Sequence, residues 1–276
     1  MAENVKIGIQ MYTLREFGDK DLPGTLEGVK RLGYDAVEFA GYNGLAADEL
    51  KRICNELGLA IVSTHYSLDN FENSIEDAVA YHKALGLPFL AIPWMAADRG
   101  PGGEKYEETK KLVEASAAAL KEAGIQMLYH NHDFEFKKVD GEYGLDILYK
   151  KVPAEYLQTE LDTCWVNIGG ENPAEYIAKY NGRTPVVHLK DFNIEGKLPK
   201  HLYALIGMDD EKDDDEPSSF EFRPVGHGMQ DMPAILDASV KSGAEWVVVE
   251  QDEPSMGLSR MDSVKASREY LRSIGW

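Results

Sequence analysis

The feature that most constrains this chain is a rhythm. Short apolar runs recur at 6–11, 36–40, 59–65, 88–93, 127–129, 157–162, 185–191 and 246–250. Helical spacing follows most of them, at 22–32, 47–57, 74–85, 106–123, near 145–150, at 173–179, from Asp231 and Pro233 through Val240, and at 263–271. Gly33, Gly58, Gly86, Gly124 and Gly243 stand where helices should stop, as glycine commonly does. Buried strands alternating with helices imply a parallel sheet with crossover connections. Eight such strands close a barrel, so the expected fold class is α/β, a (β/α)8 TIM barrel. An open doubly wound sheet is the second choice, but Gly8-Ile-Gln-Met does not supply its GxGxxG phosphate turn.

The 276 residues suffice for a single TIM-barrel domain over 1–276, with a long insertion at about 192–228. A net charge of −19 argues against a nucleic-acid partner and against an anionic membrane surface. Part of that charge sits in Asp209-Asp-Glu-Lys-Asp-Asp-Asp-Glu216, where seven acids and one lysine read as a solvated loop, with a calcium loop as the alternative. Cys54 and Cys164 form no paired framework and are expected to be reduced. The start has no apolar signal region and no run approaches 18 apolar residues, which makes the cytoplasm the default location.

Chemistry-bearing residues gather where the strands end. The run 125–136, Ile-Gln-Met-Leu-Tyr-His-Asn-His-Asp-Phe-Glu-Phe, breaks from apolar to polar at His130, and period two sends His130 and His132 to one side. Other strand ends offer Glu38, His65, Trp94, Glu160 with Asp162, His188 with Lys190, and Glu250 with Asp252 and Glu253. On strand seven Asp191 takes the opposite face, from which it is expected to orient His188 or Lys190. In a barrel the carboxyl ends of the strands carry the reactive groups. A mixed imidazole and carboxylate set suits a divalent metal ion such as Mn, Fe, Co or Zn better than Ca. The alternative is an ion-pair network that merely closes the barrel mouth.

These motifs, in this order, resemble the xylose isomerase-like TIM-barrel superfamily of sugar and sugar-phosphate isomerases and epimerases. That group also holds inosose dehydratases and, more distantly, endonuclease IV barrels. The likeness rests on Gly33-Tyr-Asp-Ala-Val-Glu38, His65, Leu161-Asp-Thr-Cys-Trp165, Val187-His-Leu-Lys-Asp191, Gly226-His-Gly228 and Val249-Glu250. The resemblance implies one metal held by residues after strands five to eight, which fall on His130, Asp162, His188 and Glu250. The family pattern has Glu where His130 stands, and its two glutamates form an acid/base pair. Here an imidazole replaces one of them, so Glu250, His130 and His132 are the candidate catalytic groups.

Glu38, His65, Trp94 and Lys190 are expected to line a pocket for a small sugar or cyclitol. Arg223 and His227 are expected to reach a distal hydroxyl, carboxylate or phosphate, or else to belong to a plain turn before a helix. The shared chemistry would be proton removal next to a carbonyl, serving an isomerase or epimerase, or alternatively a keto-sugar or inosose dehydratase. A nuclease and a non-catalytic carbohydrate-binding barrel are the rivals from other classes. A homo-oligomer is an open alternative, with the insertion at 192–228 over the pocket, against a neighbour, or in neither place.

Overall fold

The structure is a computed structural model that describes residues 5–196 and 219–276. Eight parallel strands form one sheet: β1 Lys6–Gln10, β2 Ala36–Phe39, β3 Ala60–Thr64, β4 Phe89–Ile92, β5 Gln126–His130, β6 Leu157–Asp162, β7 Val186–Leu189 and β8 Trp246–Val249. Their order is β3-β2-β1-β8-β7-β6-β5-β4. The remaining gap is spanned by a single parallel bridge between His65 and Ala91, where the Tyr66 N–H donates to the Ala91 carbonyl at 2.9 Å. Helices occupy the crossovers, so this is the expected (β/α)8 barrel.

Local chemistry explains why the elements end where they do. Gly33 (φ 85°) and Gly86 (φ 82°) terminate helices in the left-handed region, which costs residues with a Cβ more than it costs glycine. At the other ends Asp21, Ser74, Asp231 and Ser259 accept backbone N–H groups from the first turn. The last helix, Arg260–Ser273, begins three residues before the run read from the sequence because Ser259 caps it. Three short helices, Arg15–Gly18, Leu68–Asn73 and Thr163–Ile168, were not anticipated.

The strands bury both faces. Their outward side chains join the helices in one continuous core that includes Ile9, Val37, Leu161 and Val249. Inside the barrel a separate cluster of Ala36, Val62, Phe89, Ala91, Leu128, Val186, Trp246 and Val248 fills the amino-terminal half. Two residues further along the same inward faces stand Glu38, His130, His188 and Glu250. The interior therefore passes from apolar to charged within one strand repeat.

The ends of the long insertion pair as an antiparallel hairpin, Asp191–Glu195 with Ser219–Arg223. The acidic patch 209–216 lies outside the described residues. A second small hairpin joins Lys138–Val139 to Glu142–Tyr143, near the turn expected at Asp140-Gly141. Among the described residues no helix is long and apolar enough to cross a membrane.

Candidate active site

The site grows from inward-facing side chains at the carboxyl end of the barrel, with His188 at its centre. Its Nδ1 lies 3.0 Å from Glu250 Oε2, and its Nε2 lies 3.0 Å from Glu38 Oε2 and 3.4 Å from Glu160 Oε1. His65 stacks parallel to it and places Nε2 2.8 Å from both Glu38 Oε1 and Glu160 Oε1. His130 packs edge-on against both rings, with Nε2 3.8 Å from Asp162 Oδ2. Lys190 sits above, its Nζ 2.6 Å from Asp252, 3.4 Å from Glu250 and 3.7 Å from Asp162.

Backbone clamps set the register of these ligating strands. The Asn131 Oδ1 accepts the Asp162 N–H at 3.0 Å, tying the end of β5 to the end of β6. Thr163 Oγ1 donates to the His188 carbonyl at 2.9 Å and accepts the Lys190 N–H at 3.2 Å, doing the same for β6 and β7. Asp162 divides its two oxygens. Oδ1 caps the helix Thr163–Ile168 by accepting the Trp165 N–H at 3.0 Å, and Oδ2 is left facing the cluster.

Burial and mutual charge decide the protonation states. Burial raises the Glu38 carboxyl, but the imidazoles of His188 and His65 outweigh it and hold Glu38 near 2. The same contacts, working against burial, lift His65 to about 10 and His188 well above its usual value. Glu250 is held low against burial by Lys190 and His188, and Lys190 is held high against burial by Asp252, Glu250 and Asp162. Burial pushes Asp162 up to about 7 despite Lys190. His130 and His132 are both kept neutral, chiefly by burial, His132 falling to about 3.

Two overlapping sets of side chains bring one ligating atom each to within 4.8 Å of one another: His130, Asp162, His188 and Glu250, and His65, His130, Glu160 and His188. The first set fits a divalent cation better. Asp162 Oδ2 has no hydrogen-bond partner among the described residues, and neutral imidazole with carboxylate is a donor set for Zn, Fe, Co or Mn. In the second set two of the three imidazoles, His65 and His188, are held protonated by the carboxylates around them, whereas the first set holds one such imidazole, His188, whose proton an ion would displace. An added cation would also favour the ionised form of Asp162 that burial now opposes.

Above the cluster opens a cavity of about 520 Å³, lined by His65, His130, His132, Lys190, Glu250 and Asp252 below and by Tyr12, Tyr42, Tyr66 and Trp94 at the sides. The structure thus brings together His65, Trp94, His130, His132, Lys190 and Glu250, with Asp162 and His188 beneath them. Glu38 is fully buried in the floor, where it accepts from Gln10 Nε2 at 2.8 Å. Arg223 and His227 stand outside this cavity: Arg223 pairs with Glu221, and His227 approaches Tyr270.

Asp191 corrects one expectation. It contacts neither His188 nor Lys190; its carboxylate accepts the N–H groups of Phe192, Gly226, Gly228 and Gln230, because its side chain leaves the strand on the outer face. Sequence reasoning placed Asp252 at the end of strand eight but gave it no role, and it did not single out Tyr12, Tyr42 or Tyr66. Period two from Val248 through Glu250 carries Asp252 to the same face, where it meets Lys190.

Residues 26–274 match the family described as xylose isomerase-like TIM barrel. The chain belongs to that family. Among solved structures it is similar to a sugar phosphate isomerase/epimerase from Parabacteroides distasonis ATCC 8503, with a TM-score of 0.77 and 22% identity over 99% of this chain and 95% of that one. It is also similar to the IOLI protein with a bound zinc atom, with a TM-score of 0.69 and 14% identity over 98% of each chain. An inosose dehydratase from Lacticaseibacillus casei is 23% identical over 172 residues, 61% of this chain and 54% of that protein. This xylose isomerase-like barrel thus aligns with about half the length of that relative.

Proposed function

We propose that the protein is a metal-dependent isomerase or epimerase of a small sugar or sugar phosphate, acting by proton removal from carbon next to a carbonyl. The observation that carries this reading is the convergence of His130, Asp162, His188 and Glu250, from four different strands, beneath an open polar cavity. A divalent ion held by those four residues would polarise a substrate carbonyl and stabilise the negative charge left by the departing proton.

The chain's own groups divide the remaining work. Glu250, held ionised by Lys190 and His188 against burial, is one base, and neutral His132 is the other. They project from β8 and β5, so they reach a bound ring from different sides. Lys190 keeps its proton and presents a buried ammonium to substrate oxygen. Trp94, 40% exposed, offers a flat apolar surface to a ring.

One observation favours a second reading, the dehydration of a keto-sugar or inosose. His130 occupies the place of a carboxylate in the acid/base pair that the resemblance implies, and β-elimination needs one base and one acid rather than a matched pair of carboxylates. Incubation of the metal-loaded protein with keto-sugars and inososes in deuterated water separates the outcomes. Isomerisation or epimerisation puts deuterium on carbon without loss of water, whereas dehydration yields an enone. Asp162→Asn and Glu250→Gln are expected to lose both metal and turnover; turnover that persists without metal removes the assignment.

A further inference from the structure

Beside the polar cavity lies a second one of about 700 Å³ whose chemistry is different. Trp94 forms part of the wall of both. A second partition is a ring stack, His132 facing the first cavity and Phe134 the second, with centroids 5.2 Å apart and planes 3° from parallel. The interior of the second cavity is made by Met95, Phe134, Val139 and Leu148 together with the bare backbone of four glycines. Its one acidic group of low exposure, Glu135, is already engaged: Oε1 accepts from Tyr129 Oη at 2.5 Å and Oε2 from the His132 N–H at 2.8 Å. Lys137, Lys138 and Asp140 stand exposed at the rim.

We propose that this second cavity is an aglycone subsite, so that the substrate is a polar ring carrying a planar, largely apolar substituent. This rests on reading the first cavity as the site of a sugar or cyclitol. The ring would occupy the space over His130 and Glu250, and the substituent would pass the edge of Trp94 into the apolar space beyond. A free sugar would leave that apolar volume to water, at a loss of affinity that burying a substituent recovers.

The test is calorimetric binding of two unreactive probes, methyl β-glucoside and phenyl β-glucoside, to the metal-loaded protein. The phenyl probe is expected to bind about tenfold more tightly. Ala96→Phe and Val139→Phe, each filling the second cavity from a different side, are expected to shrink that advantage to about twofold while methyl β-glucoside affinity stays unchanged, which also reports correct folding. A phenyl probe that binds no more tightly than the methyl probe, or not at all, overturns the proposal, as does an advantage that survives both fillings. A p-carboxyphenyl β-glucoside that outbinds the phenyl probe, with the gain abolished by Lys137→Ala plus Lys138→Ala, overturns it in favour of an anion subsite. Metal content and deuterium exchange on the same preparations judge the enzyme reading separately: exchange without a phenyl advantage sinks only the subsite, and a phenyl advantage without metal sinks only the metal chemistry.

Discussion

The two ends of the barrel interior are built from the same strands and the same inward faces, two residues apart. Val186 precedes His188, Val248 precedes Glu250, Leu128 precedes His130 and Ala36 precedes Glu38. At the amino-terminal end the side chains of this cluster fill space, and the indole N–H of Trp246 is their one polar group. At the carboxyl-terminal end five carboxylates, four imidazoles and a lysine are crowded out of water, and burial by itself disfavours every one of their charged forms. One end therefore supplies stability and the other stores a cost that a function must justify. Substitutions should separate cleanly along that line.

The largest effect is expected at the charged end, on metal uptake and turnover rather than on stability. Glu250→Gln should lower kcat/KM by at least about 10³-fold, equivalent to about 4 kcal/mol of transition-state stabilisation, while the thermal midpoint changes little. A midpoint that collapses with the activity would show that the charged end is structural and would dissolve the contrast. The opposite experiment is Trp246→Ala at the apolar end, where a nearly buried indole plugs the barrel. It should cost about 3–5 kcal/mol in denaturant unfolding and leave the metal affinity of whatever remains folded close to wild type.

How much of this division was legible in the chain follows from what is local. The alternation of strand and helix, and the glycines that stop helices, are nearest-neighbour properties, so the barrel could be read directly. Parity likewise put His130 with His132, Glu160 with Asp162 and His188 with Lys190 on common faces, and the family resemblance implied the set His130, Asp162, His188 and Glu250 that the structure brings together. The contacts that hold them were not readable, because they join distant segments: His188 meets Glu38 across 150 residues, and Asn131 clamps the Asp162 backbone across 31. Short helices escaped for a related reason. Thr163–Ile168 has only six residues and is started by Oδ1 of the candidate ligand Asp162, which no periodic pattern announces.

A third region sharpens the comparison because it is buried yet lies outside the charged end. His82 is fully enclosed between Tyr42, whose Oη is 2.5 Å from Nε2, and the Ala78 carbonyl. Burial lowers its pKa to about 4 from an ordinary value of 6.5. The unfolded chain takes up this proton first, so the stability His82 contributes is complete above about pH 6.5 and is lost as pH falls toward 4. The stability difference between wild type and His82→Gln should shrink by about 3 kcal/mol over that window, as read from urea titrations at each pH. A difference that does not move with pH would mean the enclosure admits a charged imidazole.

The smallest effect is expected at Asp191, which sits next to the charged end in sequence and faces away from it in space. Its two carboxylate oxygens accept four backbone N–H groups, from Phe192, Gly226, Gly228 and Gln230, and so fasten the segment that follows the hairpin Asp191–Glu195 with Ser219–Arg223. Asp191→Asn keeps one acceptor oxygen and turns the other position into a donor that meets two N–H groups, a mismatch worth about 2 kcal/mol. Amide hydrogen exchange at Gly226 and Gly228 should accelerate accordingly, and kcat/KM should fall by less than it does in Glu250→Gln. If instead Asp191→Asn matches the loss at Glu250, the outer face of β7 takes part in the chemistry and the boundary between the two regions has been drawn in the wrong place.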